Sequence, residues 1–495
     1  MFFTSTFITY AVIFFVTLFA ALYLYFEKKH KYWQQRGVYS PEGPKFLLSH
    51  FSDVVFLKST PAKWMKKFYD QINKDFFGLY IFGEPFLIVK DSQLIKRVLV
   101  KDFIYFADRF VAPGDHDPYH PYILFFQKGF PWKHNRASIT PALTSGKLKS
   151  MFPLFVQASD SMVDYLEKNQ VVLEAKELGA RYATEAISLT SFGIKAFSFE
   201  PVDSAFTINR RKLFRVTPKN AFAQLLYLFK PDWVPILRPN FFDIEALDYF
   251  SSVFMESMKM RTTKNPLYSD LIDIAKELRN NGGTLDDKQF NGHAFQFFIA
   301  GYETTSATIS FALYSFALYP HIQEAVRKEC NEAIEKYGGL TYEAVHDLPY
   351  LDMCVNETLR MYPVIPFLQR VCVQDYKIPN SDCVIEKNTC LFIPMYALHM
   401  DEKYFPDPHK FDPERFRNRL DQSNSICFLP FGEGPRNCMG ERMGRMSTKL
   451  ALISIIRNFE VTKCSKTPVP VVFEPKTFVL QSNVGLPIKF SKLVK

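Results

Sequence analysis

The ten residues Phe431 to Gly440 read Phe-Gly-Glu-Gly-Pro-Arg-Asn-Cys-Met-Gly, so that Cys438 lies in a glycine-rich loop directly before an amphipathic helical pattern. A thiolate at this place is stabilised by the positive end of the following helix and by Arg436. It can therefore stay deprotonated and bind a metal, and a lone thiolate is one of the few axial ligands of haem iron. A buried structural cysteine beside a turn is the alternative. The loop glycines, Arg436 and Gly440 favour the ligand.

The other cysteines and the charge exclude several classes of protein. All eight cysteines of the 495-residue chain lie from Cys330 onward, and they form no CxxC pair and no CxxCH haem attachment. This pattern argues against a c-type haem and a structural zinc site and predicts reduced thiols. The net charge of +9 comes without the basic and aromatic repeats of nucleic-acid binders. It suits contact with anionic lipid or with an acidic protein partner.

The N-terminus predicts a membrane anchor. Residues 1–26 carry no charged side chain, and the apolar run from Phe2 to Phe26 is long enough to cross a bilayer. Basic residues follow the run, which predicts a cytosolic body. A cleaved signal peptide is the weaker alternative, because the positive segment before the run is missing. We expect residues 27–50 to form a basic, proline-rich linker and residues 51–495 to form one integrated domain.

Most of the remaining chain has helical periodicity, which predicts a mainly α fold with a small β subdomain. Two strand patterns, Gly78 to Phe82 and Phe86 to Val89, predict a hairpin whose connection is Gly83-Glu84-Pro85. From Ala294 to Leu318 the only charged residue is Glu303. A second membrane span is one interpretation of this run. A long helix in the protein core is the better one, since Glu303 would be costly in lipid.

The centre of that helix carries Ala300-Gly301-Tyr302-Glu303-Thr304-Thr305. A glycine inside a helix costs about 1 kcal/mol relative to alanine. A hydroxyl beside a carboxylate in an apolar helix indicates proton handling or a locally opened hydrogen-bond ladder. The alternative is that Thr304 and Thr305 only bond back to carbonyls of their own helix, and the residues alone do not decide between the two.

Three further patterns are ambiguous when each is taken alone. Glu357 precedes Arg360 by three residues on one helical face, which also describes an ordinary surface pair. The prolines of segment 405–416 exclude a regular helix, and the segment taken alone is consistent with a plain surface loop. Trp132 and Arg136 share a helical face and suit a planar anionic cofactor, but also a packed tryptophan beside a solvated arginine.

Taken together and in this order, these patterns resemble those of microsomal cytochromes P450 over essentially the whole chain. The loop matches the family pattern Phe-x-x-Gly-x-x-x-Cys-x-Gly through Phe431, Gly434, Cys438 and Gly440. Segments such as Thr144 to Lys149 are similar to the group that contains the vertebrate drug-oxidising family 3 enzymes. The resemblance implies the cytochrome P450 fold, preceded by one N-terminal transmembrane helix.

The resemblance also implies roles for single residues. Cys438 would be the metal ligand to the iron of haem b (iron protoporphyrin IX), and Glu303 and Thr304 would be catalytic and supply protons while dioxygen is activated. The residues implied in cofactor binding are Trp132, Arg136, Arg370, Arg436, Phe431 and Gly432, with Arg109 as a further candidate for a propionate. Glu357, Arg360 and Arg415 would form a buried charge network, and breaking one member of such a network costs about 3–5 kcal/mol.

The implied reaction inserts one oxygen atom from dioxygen into a lipophilic substrate, with electrons from NADPH through NADPH-cytochrome P450 reductase and cytochrome b5 as an optional second donor. The implied location is the endoplasmic reticulum membrane, with a single span and a cytosolic catalytic domain. The expected partners are membrane lipid, the reductase and the substrate, without nucleic acid. A P450-type isomerase or dehydratase and a non-catalytic haem protein are the alternatives. The intact Glu303-Thr304 pair argues against the isomerase, because such enzymes tend to lose it.

The resemblance places the substrate pocket on several segments and a docking surface on another side. The segments are Phe110 to Ile123, Ala221 to Val234, Phe297 to Thr305, Val364 to Leu368 and Leu480 to Val484. We expect the apolar side chains Phe298, Ile365, Phe367 and Leu480 to line it. The basic residues expected to meet an acidic electron donor are Lys133, His134, Lys147, Lys149, Arg442 and Arg445.

Overall fold

The computed structural model describes residues 2–169, 172–261, 270–273, 276, 287–418 and 426–493. The predicted anchor and haem domain include Met1 and Lys495, which lie outside the described residues. The helices are α1 (Phe2–Lys29), α2 (Ser52–Val55), α3 (Pro61–Gln71), α4 (Ser92–Lys96), α5 (Gly129–Ile139), α6 (Ser145–Lys168), α7 (Ala175–Ile187), α8 (Ala205–Leu213), α9 (Pro218–Phe229), α10 (Val234–Leu237), α11 (Ile244–Met260), α12 (Asp287–Leu318), α13 (Pro320–Tyr337), α14 (Tyr342–His346), α15 (Pro349–Met361), α16 (Met395–His399) and α17 (Glu441–Asn458).

The strands are short and few compared with the helices. They are β1 (Phe76–Ile81), β2 (Glu84–Val89), β3 (Val172–Glu174), β4 (Leu368–Val371), β5 (Tyr376–Lys377), β6 (Val384–Ile385), β7 (Cys390–Ile393), β8 (Phe459–Lys463) and β9 (Pro487–Lys492). The predicted fold class, mainly α with small sheets, is confirmed. The described chain forms two compact units, one of residues 1–110 with 367–394 and the other of residues 111–366 with 395–495. The division into anchor, linker and one haem domain stays a prediction.

The first unit contains a four-stranded sheet of order β1-β2-β7-β4 and a small β5-β6 pair. β1 and β2 form the predicted antiparallel hairpin, but its connection is Phe82-Gly83 and not Gly83-Glu84-Pro85. Both turn residues have positive φ, 50° and 77°, as a two-residue hairpin turn requires. Glu84 and Pro85 belong to β2, whose pairing with β7 begins only at Phe86, so the missing N–H of Pro85 breaks no bond to β7.

The apolar helix α1 also belongs to this unit. Phe7–Arg36 is the one helical stretch among the described residues that is long and apolar enough to cross a membrane. Its C-terminal end is fixed to the hairpin and to the loop before it. The ring centroid of Phe46 lies 5.2 Å from that of Phe19 and 5.4 Å from that of Phe26, and Lys29 Nζ lies 2.8 Å from a carboxylate oxygen of Glu84. The helix therefore leads into the sheet without a flexible joint.

The second unit is built around α12. Its side chains after Thr305 are almost all buried, which confirms the predicted core helix. α7 packs against it closely because small residues meet at two places: a Cβ on Gly179 would lie 2.8 Å from the carbonyl oxygen of Ser306, and a Cβ on Gly301 would lie 2.7 Å from Ile187 Cδ1. Gly301, the glycine in the interior of α12, therefore leaves room for the Ile187 side chain of α7. α17 is buried over most of its length, and β3, β9 and β8 form an antiparallel sheet.

Candidate active site

The cysteine loop is a compact turn held by its own backbone. Gly432 and Gly434 have φ of 71° and 73°, a region that favours glycine. The N–H of Cys438 donates to the carbonyl of Phe431 over 2.7 Å, and α17 begins three residues later with Gly440 as its N-cap. The Cys438 side chain is exposed at this helix start, as the sequence predicted. A thiolate there gains from the helix dipole.

Two arginines and a tryptophan surround the loop. Arg136 on α5 donates to the carbonyl oxygen of Asn437 (2.9 Å) and to its Oδ1 (2.7 Å). Burial lowers the pKa of Arg136, and the charge of Cys438 opposes that shift. Arg436 is 2% exposed and lies 3.9 Å from the centroid of the Trp132 ring. The structure therefore brings Trp132, Arg136 and Arg436 together with Cys438, as predicted.

Phe431, the first residue of the loop, is held by a contact with α17. The guanidinium of Arg445 lies 4.7 Å from the centroid of its ring. Arg445 also binds Glu441 (2.9 Å) and Asn356 on α15 (2.8 Å). These contacts join the loop to two helices. Gly432, next to Phe431, has no side chain to contribute, and its N–H donates to the carbonyl of Leu429 (2.9 Å).

Arg370, a predicted cofactor-binding residue, lies on β4 in the first unit. It is 2% exposed, and Nη1 donates to the carbonyl of the adjacent Gln369 over 2.8 Å. Its Nε has no hydrogen-bond partner among the described residues. Burial, followed by the charge of Arg109, lowers the pKa of Arg370 to about 9. A buried guanidinium of this kind is short of an anion.

Glu357, Arg360 and Arg415 form the predicted charge network in the second unit. Glu357 and Arg360 are both fully buried and joined by two bonds of 2.7 and 2.8 Å, from Nε and Nη2. The Glu357 carboxylate also accepts from Arg415 Nε over 3.3 Å and from the backbone N–H of Asp412 over 2.9 Å. The remaining donors of Arg360 reach the carbonyls of His399 and Pro408, each over 2.8 Å.

His399 connects this network to the cysteine loop, and no sequence pattern indicated it. Its Nδ1 donates to the carbonyl of Arg360 (3.2 Å), since Nε2 accepts from the N–H of Leu429 (3.1 Å). Burial, and then the charge of Arg360, lowers the pKa of His399 to about 3. Leu429 in turn accepts from the N–H of Gly432. A neutral histidine therefore fixes the start of the loop.

Glu303 and Thr304 on α12 have different partners. The Glu303 carboxylate lies 2.7 Å from Lys176 Nζ on α7, and Lys176 also donates to Ser306 Oγ (2.8 Å). This ion pair is mostly buried, at 15% and 19% exposure. The Thr304 hydroxyl donates to the carbonyl of Ala300 over 2.6 Å, which is the back-bonded arrangement that the sequence left open. Lys176 was missed by sequence analysis, because it is 127 positions away and belongs to no pattern.

A cavity in the second unit opens above this part of α12. It contains about 1110 Å³ of empty space, part of it open to solvent, and both Glu303 and Thr304 line it. Its apolar wall includes Ile123, Phe125, Phe126, Leu213, Phe214, Val216, Phe241, Phe242, Ile299, Ile365 and Val479. A large apolar cavity with a few polar groups is typical of a site for a lipophilic small molecule.

Each of the five expected pocket segments contributes at least one residue to the cavity lining, but the four expected apolar side chains are confirmed only in part. Ile365 lines the cavity, as predicted. Phe298 does not, because its ring is fully buried among aromatic side chains, 4.4 Å from the centroid of Phe250. Leu480 is also buried, and its N–H donates to the carbonyl of Val364. Phe367 belongs to the first unit, where it packs on Phe392. Because phenylalanine is abundant throughout the chain, the sequence does not indicate which phenylalanine rings line the cavity.

Comparisons with known proteins decide the family. A sequence model described as Cytochrome P450 matches residues 41–488. The chain belongs to the cytochrome P450 family. It is 36% identical to cytochrome P450 6k1 of Blattella germanica and 36% identical to cytochrome P450 6j1 of the same species, with 97% of each chain covered in both cases. It is 34% identical to cytochrome P450 6a9 of Drosophila melanogaster, covering 97% of this chain and 98% of that one.

Membership of the P450 family makes the chain a monooxygenase of the oxidoreductase class. The family uses haem and takes electrons from a redox partner. The described residues fit such a group. In the second unit they offer an exposed thiol at a helix start with arginines around it. In the first unit, taken by itself, Arg370 is a buried guanidinium whose Nε has no described partner.

Proposed function

We propose that the chain is a haem-thiolate monooxygenase in which Cys438 binds the iron of haem b, and that its electrons come from NADPH through NADPH-cytochrome P450 reductase. The observation that carries this proposal is the exposed Cys438 thiol just before α17. Its backbone N–H is bonded to Phe431, and Arg136 binds the adjacent Asn437. A thiolate ligand favours cleavage of the O–O bond. The haem, when bound, supplies the centre at which one oxygen atom of dioxygen enters the substrate and the other leaves as water.

The residues around the thiol would bind the anionic edge of the haem. Arg136 and Arg436 carry guanidinium groups suited to propionates, and Trp132 holds Arg436 by stacking. Phe431 and Gly432 would contribute the loop surface that contacts the haem. The assignment of Arg370 to a propionate rests on the resemblance, and the orphaned Nε inside its own unit supports it.

On the cavity side, Glu303 and Thr304 would hold and move protons. The Lys176 ammonium keeps the Glu303 carboxylate at the cavity edge, and Lys176 is itself partly exposed to water. The Thr304 hydroxyl must turn from the Ala300 carbonyl to donate a hydrogen bond into the cavity. Apolar side chains around both residues exclude bulk water, which limits loss of protons and reactive species.

We further propose a reductase surface on the side of the cysteine loop. Of its predicted residues, Lys149 is paired with Glu343 (2.5 Å), and Arg445 is occupied by Glu441 and Phe431. Lys133 and Arg442, both exposed, are therefore the better candidates for contact with an acidic donor. Cytochrome b5 is proposed for the same surface as an optional donor.

We propose the endoplasmic reticulum membrane as the location, with α1 as a single span and the rest cytosolic. The support is the apolar stretch of α1, followed by Lys28, Lys29 and Lys31. Membrane lipid would then be a constant partner, and lipophilic substrates would be delivered from it.

The test of the iron ligand compares two cysteine variants of the full chain purified with haem. Cys438→Ser should lose the thiolate-type band in the spectrum of the reduced CO complex. Cys464→Ser is the matched control, since this cysteine is also partly exposed but lies outside the loop, and it should keep the band. A thiolate-type band in Cys438→Ser would refute the assignment.

The test of the reaction supplies NADPH, purified reductase and ¹⁸O-labelled dioxygen to the wild-type holoprotein with a panel of lipophiles. We expect one labelled oxygen atom in the product. Peroxide release without any labelled product would favour a non-catalytic haem protein, and rearrangement of an added peroxide without reductase would favour an isomerase.

A further inference from the structure

The cavity above α12 contains two cationic side chains and one anionic one. These are Arg215 in the segment between α8 and α9, Lys476 in the segment before β9, and Glu303. Glu303 is neutralised by Lys176 at 2.7 Å. Lys476 lies 3.5 Å from Glu474, which is 14% exposed. The charge that remains without a counter-ion in the cavity wall is that of Arg215.

Arg215 differs in this respect from the basic residues just before it. Arg211 pairs with Glu177 (2.9 Å) and also with Asp203, and Lys212 lies 3.4 Å from Glu245. The Arg215 side chain has no hydrogen bond or ion pair with a described residue. Of this basic run, Arg215 is also the member that lines the cavity. An exposed arginine that lines an apolar cavity without a carboxylate partner among the described residues is suited to an anionic ligand group.

Two amides of α9 lie next to Arg215 along the cavity wall. Asn220 Nδ2 donates to the carbonyl oxygen of Arg215 over 2.6 Å, which fixes the backbone that carries the guanidinium. Gln224, one turn further, lines the cavity, and its Oε1 is buried without a partner among the described residues. No described bond to Oε1 holds this amide, so its NH₂ group can turn toward a bound oxyanion.

We propose that the cavity selects lipophilic carboxylic acids, with the apolar body of the substrate against the phenylalanine wall and its carboxylate at Arg215, assisted by Gln224. This inference rests on the proposed monooxygenase function and names a substrate class for the same site. The apolar wall supplies most of the binding free energy. The guanidinium supplies the preference for an acid over its neutral analogues, and this preference is moderate because Arg215 is exposed to solvent.

The test uses three probes with the same chain, namely dodecanoic acid, methyl dodecanoate and dodecan-1-ol. Each is titrated at neutral pH and low salt into the full-length holoprotein in nanodiscs of uncharged lipid. Binding is followed by the haem spin-state change and, independently, by equilibrium dialysis of labelled probe with empty nanodiscs subtracted. We expect the wild-type protein to bind the acid about 5- to 10-fold more tightly than the ester or the alcohol.

Arg215→Gln should abolish this preference while leaving the affinity for the ester unchanged. Lys219→Gln is the matched control, because Lys219 is an exposed cation four residues away that does not line the cavity, and it should keep the preference. Equal affinity for acid and ester in the wild type, or an acid preference that survives in Arg215→Gln, would overturn the inference. The reduced CO spectrum of each protein separates this from failure of the proposed function: a thiolate-type band without acid preference refutes only the substrate class.

Discussion

Arg360 and Arg370 are both fully enclosed guanidinium groups, and their surroundings are opposite. Arg360 makes a two-bond pair with Glu357 and reaches two backbone carbonyls over 2.8 Å. Arg370 has one bond to the neighbouring carbonyl, a second arginine nearby and an Nε without a described partner. Burial of a charge is costly unless it is paired. Arg360 is therefore satisfied within the fold, whereas Arg370 lacks a described counter-ion, as the propionate contact proposed for it would require.

The largest effect on stability is expected when Arg360 loses its counter-ion. Glu357→Gln leaves Arg360 buried without its counter-ion and should lower the free energy of unfolding by about 3–5 kcal/mol. Thermal unfolding and haem content measure it. Glu324→Gln is the control, since this carboxylate pairs with Arg327 at 67% exposure, and it should change stability by less than about 1 kcal/mol. Equal losses in both variants would contradict the structural role of Glu357.

A pH effect should follow from His399, which touches Arg360. Its pKa is about 3 when folded and 6.5 ordinarily, so the unfolded chain binds the proton that the folded chain excludes. The stability that this difference gives is present above pH 6.5 and is lost as the pH falls toward 3, at up to about 1.4 kcal/mol per pH unit. His399→Gln should flatten this acid slope in chemical denaturation. The exposed His409→Gln should leave it unchanged, and an equally flat slope there would count against His399.

Replacement of Arg370, whose Nε has no described partner, should have the opposite effect on stability. Arg370→Met removes a buried charge that the haem-free protein does not compensate, so the haem-free form should be as stable as wild type or more so. Haem should dissociate about 10-fold faster, in line with the loss of one charge-assisted bond. Transfer of haem to an excess of apo-globin measures the rate. Slower haem loss, or a marked destabilisation of the haem-free protein, would contradict an anion-binding role.

The smallest effect is expected at the mostly buried pair in the cavity wall. Lys176→Met leaves Glu303 without its cation and should cost about 1 kcal/mol of stability. It should also release more peroxide per NADPH consumed, because the carboxylate is no longer held in place. Lys176→Arg should restore coupling. If Lys176→Met matches wild type in both stability and coupling, the pair has no role in proton supply.

Local sequence patterns were sufficient to predict which residues lie together where those residues are close in sequence. The loop around Cys438, the Trp132-Arg136 helix and the Glu357-Arg360 pair lie within single elements, where spacing fixes geometry. His399, Lys176 and Arg215 could not be found in this way, because their partners lie on other elements and their own neighbours carry no pattern. The long core helix was predictable from its apolar length. The hairpin turn has two residues, Phe82-Gly83, and not the predicted three, since Phe82 adopts a positive φ that favours other residue types.

The attachment of α1 to the first sheet has a mechanical consequence. The Phe46 ring contacts Phe19 and Phe26, two turns apart on the helix, and Lys29 near the helix end forms an ion pair with Glu84 of β2. In the membrane arrangement proposed above, the first unit would share the inclination of the helix and could not tumble independently of it. Thicker or thinner bilayers, which change the inclination of a spanning helix, would then reorient the sheet as well. Lipid composition would thus set the orientation of the first unit relative to the membrane plane.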